Sequence, residues 1–216
     1  MKLVLENDQK LFFTSDTHFG HSNICSATTN WSVNDGYARA FDSLDDMNQT
    51  LVDNINNTVG ENDVLIHLGD WSFGGFDNIR KFREQLNCKN IHIILGNHDH
   101  HIEKNRDNIQ ELFASVHSYL ELDLRRYPNK AQVIKNRFIL MHFPITSWKD
   151  MNRGMIHLHG HTHLPPHHRV AQGRAMDVGV EGNGLKPIQL EEVLELMKGR
   201  PVANLVLPKD HHTKEV

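Results

Sequence analysis

Cysteine is nearly absent. The chain has two, Cys25 and Cys88, and neither belongs to a Cys-x-x-Cys pair. That excludes a disulfide framework and makes a reducing, cytoplasmic setting the expectation, with both thiols read as small buried residues. Long apolar runs are also missing. Nothing approaches the roughly 18 residues of a spanning helix, and Leu3-Val4-Leu5 is too short for a secretory core, so no membrane partner is expected. Neither sign of charge dominates: 23 basic residues face 27 acidic ones, a net −4 with His neutral. This removes the electrostatic case for a general nucleic-acid or anionic-membrane binder. There are no solenoid-period repeats and no low-complexity linker. One domain over residues 1–216 is therefore expected, with 201–216 either a last strand, through Leu205-Val206-Leu207, or a loose tail. Absent too are His-Glu-x-x-His, His-x-His-x-Asp-His and Gly-x-x-x-x-Gly-Lys, which disfavours zinc peptidases, the metallo-β-lactamase fold and P-loop nucleotide binding.

What is abundant is histidine: 17 residues, six of them between His157 and His168. One local pattern recurs five times, a short apolar run that stops at a Gly or a polar cluster. Lys10–Phe13 leads into Thr-Ser-Asp16-Thr-His18, and Val64–Leu68 into Gly69-Asp70. Ile91–Leu95 leads into Gly96-Asn97-His98-Asp99, Phe138–Met141 into His142, and Ile156–His159 into Gly160-His161-Thr162-His163. Runs this short and this rich in Ile, Leu, Val and Phe suit strands buried on both faces. Helical spacing predicts helices over Ser43–Val59, with a Ser43/Asp46 capping box and a stop at Gly60, and over about Asp77–Leu86, Asn105–Phe113 and Leu190–Met197. Tyr119–Leu124 alternates as a half-exposed strand, and Ala175–Val180 reads as a late one. Strands alternating with helices first, then clustering, suggest a layered α/β sandwich with mixed sheets.

The polar clusters follow strand ends, where open α/β sheets build ligand sites. They deliver Asp16, His18, Asp70, Asn97, His98, His142, His161 and His163. Such oxygen and nitrogen donors, with no thiolate, suit Mn²⁺, Fe, Zn²⁺ or Ni²⁺. Seven donors with a shared carboxylate suit two ions, which could clamp both oxygens of a phosphoryl displacement. Asp16 and His18, like His161 and His163, are two apart and would project to one side of an extended segment. Gly69, Gly96 and Gly160 would let the backbone turn tightly before a ligand.

In order and spacing these motifs resemble the calcineurin-like metallophosphoesterase superfamily, and Asp-Thr-His-Phe-Gly-His resembles its small bacterial and phage members. Met176-Asp177-Val178-Gly179-Val180 and Lys186-Pro187-Ile188 resemble its closing strand and turn. The resemblance implies an α/β/β/α sandwich of two mixed β-sheets flanked by helices. It places Asp16, His18 and His163 on a first metal, Asn97, His142 and His161 on a second, and Asp70 between them. Two divalent ions, Mn²⁺ first, would activate a hydroxide to attack phosphorus. His98 would protonate the leaving oxygen or stabilise developing charge, and Asp99 would orient His98 or cap the next helix. His21 is taken as a substrate contact; supporting a ligand or capping a helix with Ser22 and Asn23 are its other readings.

The remaining histidines have plainer readings. His67 and His92 read as hydrogen-bonded core or sheet residues, and His157 and His159 as strand residues. His100, His101, His167 and His168 read as solvated loop residues, and His211 and His212 as tail. Trp31, Trp71 and Trp148 follow or flank polar clusters; Trp71 and Trp148 either line the cleft rim, where they could stack on a base, or serve in core packing or ordinary loop anchoring. The expected substrate is a small phosphate ester or nucleotide. A diester is preferred, because no Arg belongs to a motif to meet the extra charge of a monoester. A phosphomonoesterase on the same site is the alternative, and a non-catalytic protein-binding scaffold is the alternative of another class, disfavoured by the complete donor set.

Overall fold

The structure, a computed structural model, describes residues 1–6, 8–28, 38–129, 132–170 and 173–202. Among the described residues, ten strands form two five-stranded sheets. The first sheet contains β1 (Lys2–Leu5), β6 (Leu120–Asn129), β7 (Gln132–Leu140), β8 (Ile156–His159) and β9 (Ala175–Asp177), in that spatial order. The second runs β10 (Ile188–Gln189), β2 (Leu11–Thr14), β3 (Val64–His67), β4 (Asn90–Ile94) and β5 (Ser115–His117). Each sheet is mixed: β6 with β7 and β10 with β2 are antiparallel, and the other pairs are parallel.

Strand periodicity explains the layering. Leu11, Phe13, Ile66, Leu68 and Ile94 of the second sheet meet Leu122, Leu124, Phe138, Leu140, Leu158 and Met176 of the first in one buried cluster. The intervening residues Phe12, Leu65, Ile91 and Ile93 point the other way, onto a cluster that includes helices α1 (Leu44–Thr58) and α2 (Phe76–Glu84). Both faces of β2 and β3 are therefore covered, and their apolar runs are continuous rather than alternating. Helix α4 (Leu190–Met197) supplies Leu190, Val193 and Met197 to the inter-sheet cluster. The result is two mixed sheets flanked by helices. Among the described residues no helix is long and apolar enough to cross a membrane.

Several expectations are corrected. Helix α1 starts as read, with Ser43 Oγ accepting from Asp46 N at 3.0 Å, and it ends at Val59, immediately before the expected stop at Gly60. The helix expected over Asn105–Phe113 is a short α3 (His100–Glu103) followed by a 3₁₀ segment, Arg106–Leu112. Asn105, Asp107 and Asn108 there adopt φ of 47°, 55° and 55°, the left-handed conformation that Asn and Asp tolerate and that breaks a helix. Strand β9 stops at Asp177, because Asp177 Oδ1 accepts from Gly179 N two residues on and turns the chain. Strands β1 and β5 and the distal β6–β7 hairpin are not predicted by the sequence: the Leu3-Val4-Leu5 run of β1 is only three residues long, and β5 and the distal hairpin show no continuous apolar run. Trp31, His211, His212 and the 203–216 part of the tail lie outside the described residues.

Candidate metal centre

Every candidate donor lies just beyond the carboxyl end of a strand: Asp16 and His18 after β2, Asp70 after β3, Asn97 and His98 after β4, His142 after β7, His161 and His163 after β8. The backbone there is not extended. Asp16, His18, Asp70, His161 and His163 have φ of 57°, 48°, 56°, 69° and 48°. Each such residue costs on the order of 1–3 kcal/mol and persists only where its surroundings fix it. Loop-to-loop hydrogen bonds do so here: Asp16 N donates to Gly69 O at 2.9 Å, His18 N to Asp70 O at 3.0 Å, and Thr17 Oγ1 to Trp71 O at 2.7 Å. Asp99 is buried, and its carboxylate accepts from Asp70 N, Trp71 N and Gly96 N at 2.8, 3.0 and 2.8 Å. It thus staples two ligand loops together; it makes no side-chain cap bond to α3. The glycines answer to crowding. A Cβ on Gly96 would lie 2.6 Å from Asp70 N, and one on Gly69 would lie 2.5 Å from Gly96 N. Of Gly69, Gly96 and Gly160, only Gly69 has a positive φ, 99°.

The donors form two groups. In each of Asp16–His18–His163 and Asp70–His142–His161, one ligand atom per residue lies within 4.8 Å of the others. Asp70 Oδ2 sits 3.5 Å from both His18 Nε2 and His142 Nε2, so it stands between the groups. Asn97 Oδ1 joins the second, 3.0 Å from His142 Nε2 and 2.9 Å from His161 Nδ1. His161 and His163 therefore serve different groups rather than one side of an extended segment. Both ring nitrogens of His18 are buried without a hydrogen-bond partner among the described residues, an arrangement native interiors avoid unless something else fills it. With carboxylate, imidazole and carboxamide donors and no sulfur, the set fits two divalent cations of the Mn²⁺ to Zn²⁺ range.

Electrostatics point the same way. Burial raises the Asp16 carboxyl to about 7. Burial also lowers the His163 imidazole, but the Glu181 hydrogen bond and the charges of Glu181 and Asp16 outweigh it and hold the ring at about 9. Burial opposes ionisation of Asp70 as well, yet His142, His18 and the His98 amide hold it far below the usual carboxylate range. Burial, helped by Arg39, keeps His18 neutral. His163 and Asp16 thus keep protons at pH values where an ordinary imidazole and carboxyl release them, so the cluster favours added positive charge, which a bound cation would supply in the protons' place.

His98 is exposed at the rim. Its backbone N–H donates to Asp70 Oδ1 at 2.9 Å, and its ring lies 4.7 Å from Phe73 and 5.5 Å from His18. His21 stacks on Phe73 with ring centroids 3.6 Å apart, 6.4 Å from His98, and makes no side-chain cap bond. Burial and His98 hold it at about 4. Trp71 is fully buried and packs in the core, while Trp148 is anchored through Nε1 to Met155 O at 2.9 Å. His67 bonds Thr17 and His92 bonds Ser115, and His157 and His159 are buried on β8. His100 and His101 open helix α3 instead of lying in a loop, and His101 is half-buried. Sequence reading missed Glu181, Arg39 and Asp177. Asp177 accepts from Thr162 Oγ1 and from Leu164 N, fixing the loop that carries His161 and His163. Glu181 directly follows the closing-strand motif, which was a usable signal; Arg39 had none.

Residues 9–188 match the calcineurin-like phosphoesterase family. The chain is 29% identical over 203 residues to the uncharacterized protein MJ1445 of Methanocaldococcus jannaschii, covering 91% of this chain and 97% of that one. It is also 29% identical over 170 residues to the gene 66 protein of Mycobacterium phage D29, covering 71% and 78% of the two. In fold it resembles the crystal structure of the protein of unknown function AQ665 from Aquifex aeolicus, with a TM-score of 0.60 at 21% identity, covering 88% of this chain and 100% of that one.

Proposed function

The chain belongs to the calcineurin-like phosphoesterase family, and from that premise we propose a metal-dependent phosphodiesterase acting on nucleotide-like phosphate esters. The observation that carries the reading is the pair of donor groups with Asp70 between them, 3.5 Å from an imidazole of each. In this reading Asp16, His18 and His163 hold one divalent cation, Asn97, His142 and His161 hold the other, and Asp70 serves both. Mn²⁺ is the first choice. When bound, such a pair supplies Lewis-acid polarisation of a phosphoryl oxygen and lowers the pKa of water.

The protein's own groups do the rest. His98 is exposed beside the donors, so its ring can reach a leaving oxygen and give it a proton, while its backbone amide fixes Asp70. His21 is neutral well above pH 4 and offers an N–H to a phosphoryl oxygen without competing as a base. The guanidinium that reaches the site, Arg39, is committed to Asp16 O, Thr17 O and Glu181 and turns none of these bonds toward substrate. That favours a diester, which carries one charge fewer than a monoester and depends more on leaving-group protonation. Rates on bis(p-nitrophenyl) phosphate and on p-nitrophenyl phosphate, with Mn²⁺ restored after chelation, test this. A higher kcat/KM for the diester, abolished by chelator, is expected. A strong monoester preference makes the protein a phosphatase, and no turnover of either ester with any of the four metals defeats the reading.

A further inference from the structure

Glu181 lies in the 3₁₀ turn Val180–Asn183, behind His163. Its Oε1 accepts from Arg39 Nε at 3.0 Å and Arg39 Nη2 at 2.6 Å, and lies 2.9 Å from His163 Nδ1. Its Oε2 is buried with no partner among the described residues. Arg39 is itself buried, and it also donates to Thr17 O at 2.7 Å and Asp16 O at 2.6 Å. One guanidinium therefore ties the loop that carries Asp16 and His18 to the carboxylate that backs His163. Among the described residues, the other donor group has no such support. The rear nitrogen of His142 meets only a neutral carbonyl, Leu68 O, at 2.7 Å.

We propose that Glu181 and Arg39 are positioning residues that make Asp16–His18–His163 the tighter of the two cation sites. The inference rests on the metal-dependent reading above. A carboxylate on Nδ1–H fixes the tautomer, leaves the Nε2 lone pair facing the donors, and makes it more basic. Nε2 of His163 is already 3.8 Å from Asp16 Oδ1. Arg39 compensates the Glu181 charge and holds the Asp16 carbonyl where the backbone is left-handed. A half-buried carboxylate with a cation on one side and an imidazole on the other is costly to assemble unless both partners stay in place.

The test is a Mn²⁺ titration by equilibrium dialysis of the chelator-stripped full-length protein. The unmodified chain is expected to bind two classes of ion. Glu181→Gln weakens the tighter class about 10–100-fold and leaves the weaker class unmoved. Arg39→Lys keeps the charge but cannot span Glu181, Thr17 O and Asp16 O together, so it shows the same selective loss. In the Zn²⁺-loaded protein, the Nδ1–H resonance of His163 is present and is lost in Glu181→Gln, a change that general loosening of the fold would not confine to this ring. Glu181→Gln that binds both ions as tightly as the unmodified chain overturns the inference, as does equal loss of both classes. If Glu181→Gln does not fold, the Arg39→Lys titration decides by the same criterion. An unmodified chain that binds no ion defeats this inference and the proposed function together. Two classes unaffected by either variant defeat this inference alone.

Discussion

His98 and Asp70 are joined by one hydrogen bond, His98 N to Asp70 Oδ1, yet their side chains face different tasks. Asp70 stands between the donor groups, and its charge is held by His142, His18 and the amide of His98. Asp70→Asn keeps the shape and removes the charge, so both ions should bind more weakly and turnover should fall by orders of magnitude. His98→Ala retains the amide bond to Asp70, so metal content should stay near that of the unmodified chain while turnover drops about 10²–10⁴-fold, the range of a general acid. Metal analysis with rates over a series of leaving groups checks both variants. The His98→Ala loss should shrink as the leaving group improves, and equal loss across the series rules out proton donation. At this scale the sequence was informative where residue type carries chemistry. Asp16, Asn97 and His142 stand next to motif glycines or at the ends of apolar runs. Asp99 was legible as a residue but not as a role, because its three partners include Asp70 N and Trp71 N from another loop.

Elements set the precision of the centre. Strands β2, β3, β4, β7 and β8 end at one edge of the sandwich, and the turns that leave them approach within contact distance. Gly96 marks one such close approach, where a Cβ would fall 2.6 Å from Asp70 N and closer still to its carboxyl group. Gly96→Ala should push Asp70 away from His18 and His142. Its expected signature is lost metal binding with the far-UV circular dichroism kept, since both sheets hold their own cores. Normal Mn²⁺ affinity in that variant would show that the loops can yield. The buried strands and α1 were legible because apolar runs and caps are local signals. The helix expected at Asn105–Phe113 failed because left-handed Asn and Asp residues outweigh apolar spacing. The distal part of the β6–β7 hairpin is polar, so pairing across the hairpin defines it rather than any pattern along one strand.

For the whole molecule, the metal-free centre should make stability depend on pH. In the fold His163 keeps its proton to about 9 against an ordinary 6.5, and Asp16 to about 7 against 3.8. The native state thus holds protons that the unfolded chain has released, and the stability they contribute is lost as pH rises through the folded values. His21 and His67, held low at about 4 and about 3, act in the opposite sense, but only below about pH 6.5. Thermal melts in chelator should therefore show the melting temperature falling from pH 7 to pH 9; a flat or rising curve there would contradict the assignment. The sequence by itself determined the candidate donors, their order along the chain and the doubly buried strands, because residue chemistry and apolar runs act over a few positions. Only the tertiary structure decided that His161 and His163 part company into separate groups, and that Arg39 and Glu181, 142 positions apart, meet behind one of them. A contact closed by the packing of two sheets leaves no periodic or local trace in the chain that makes it.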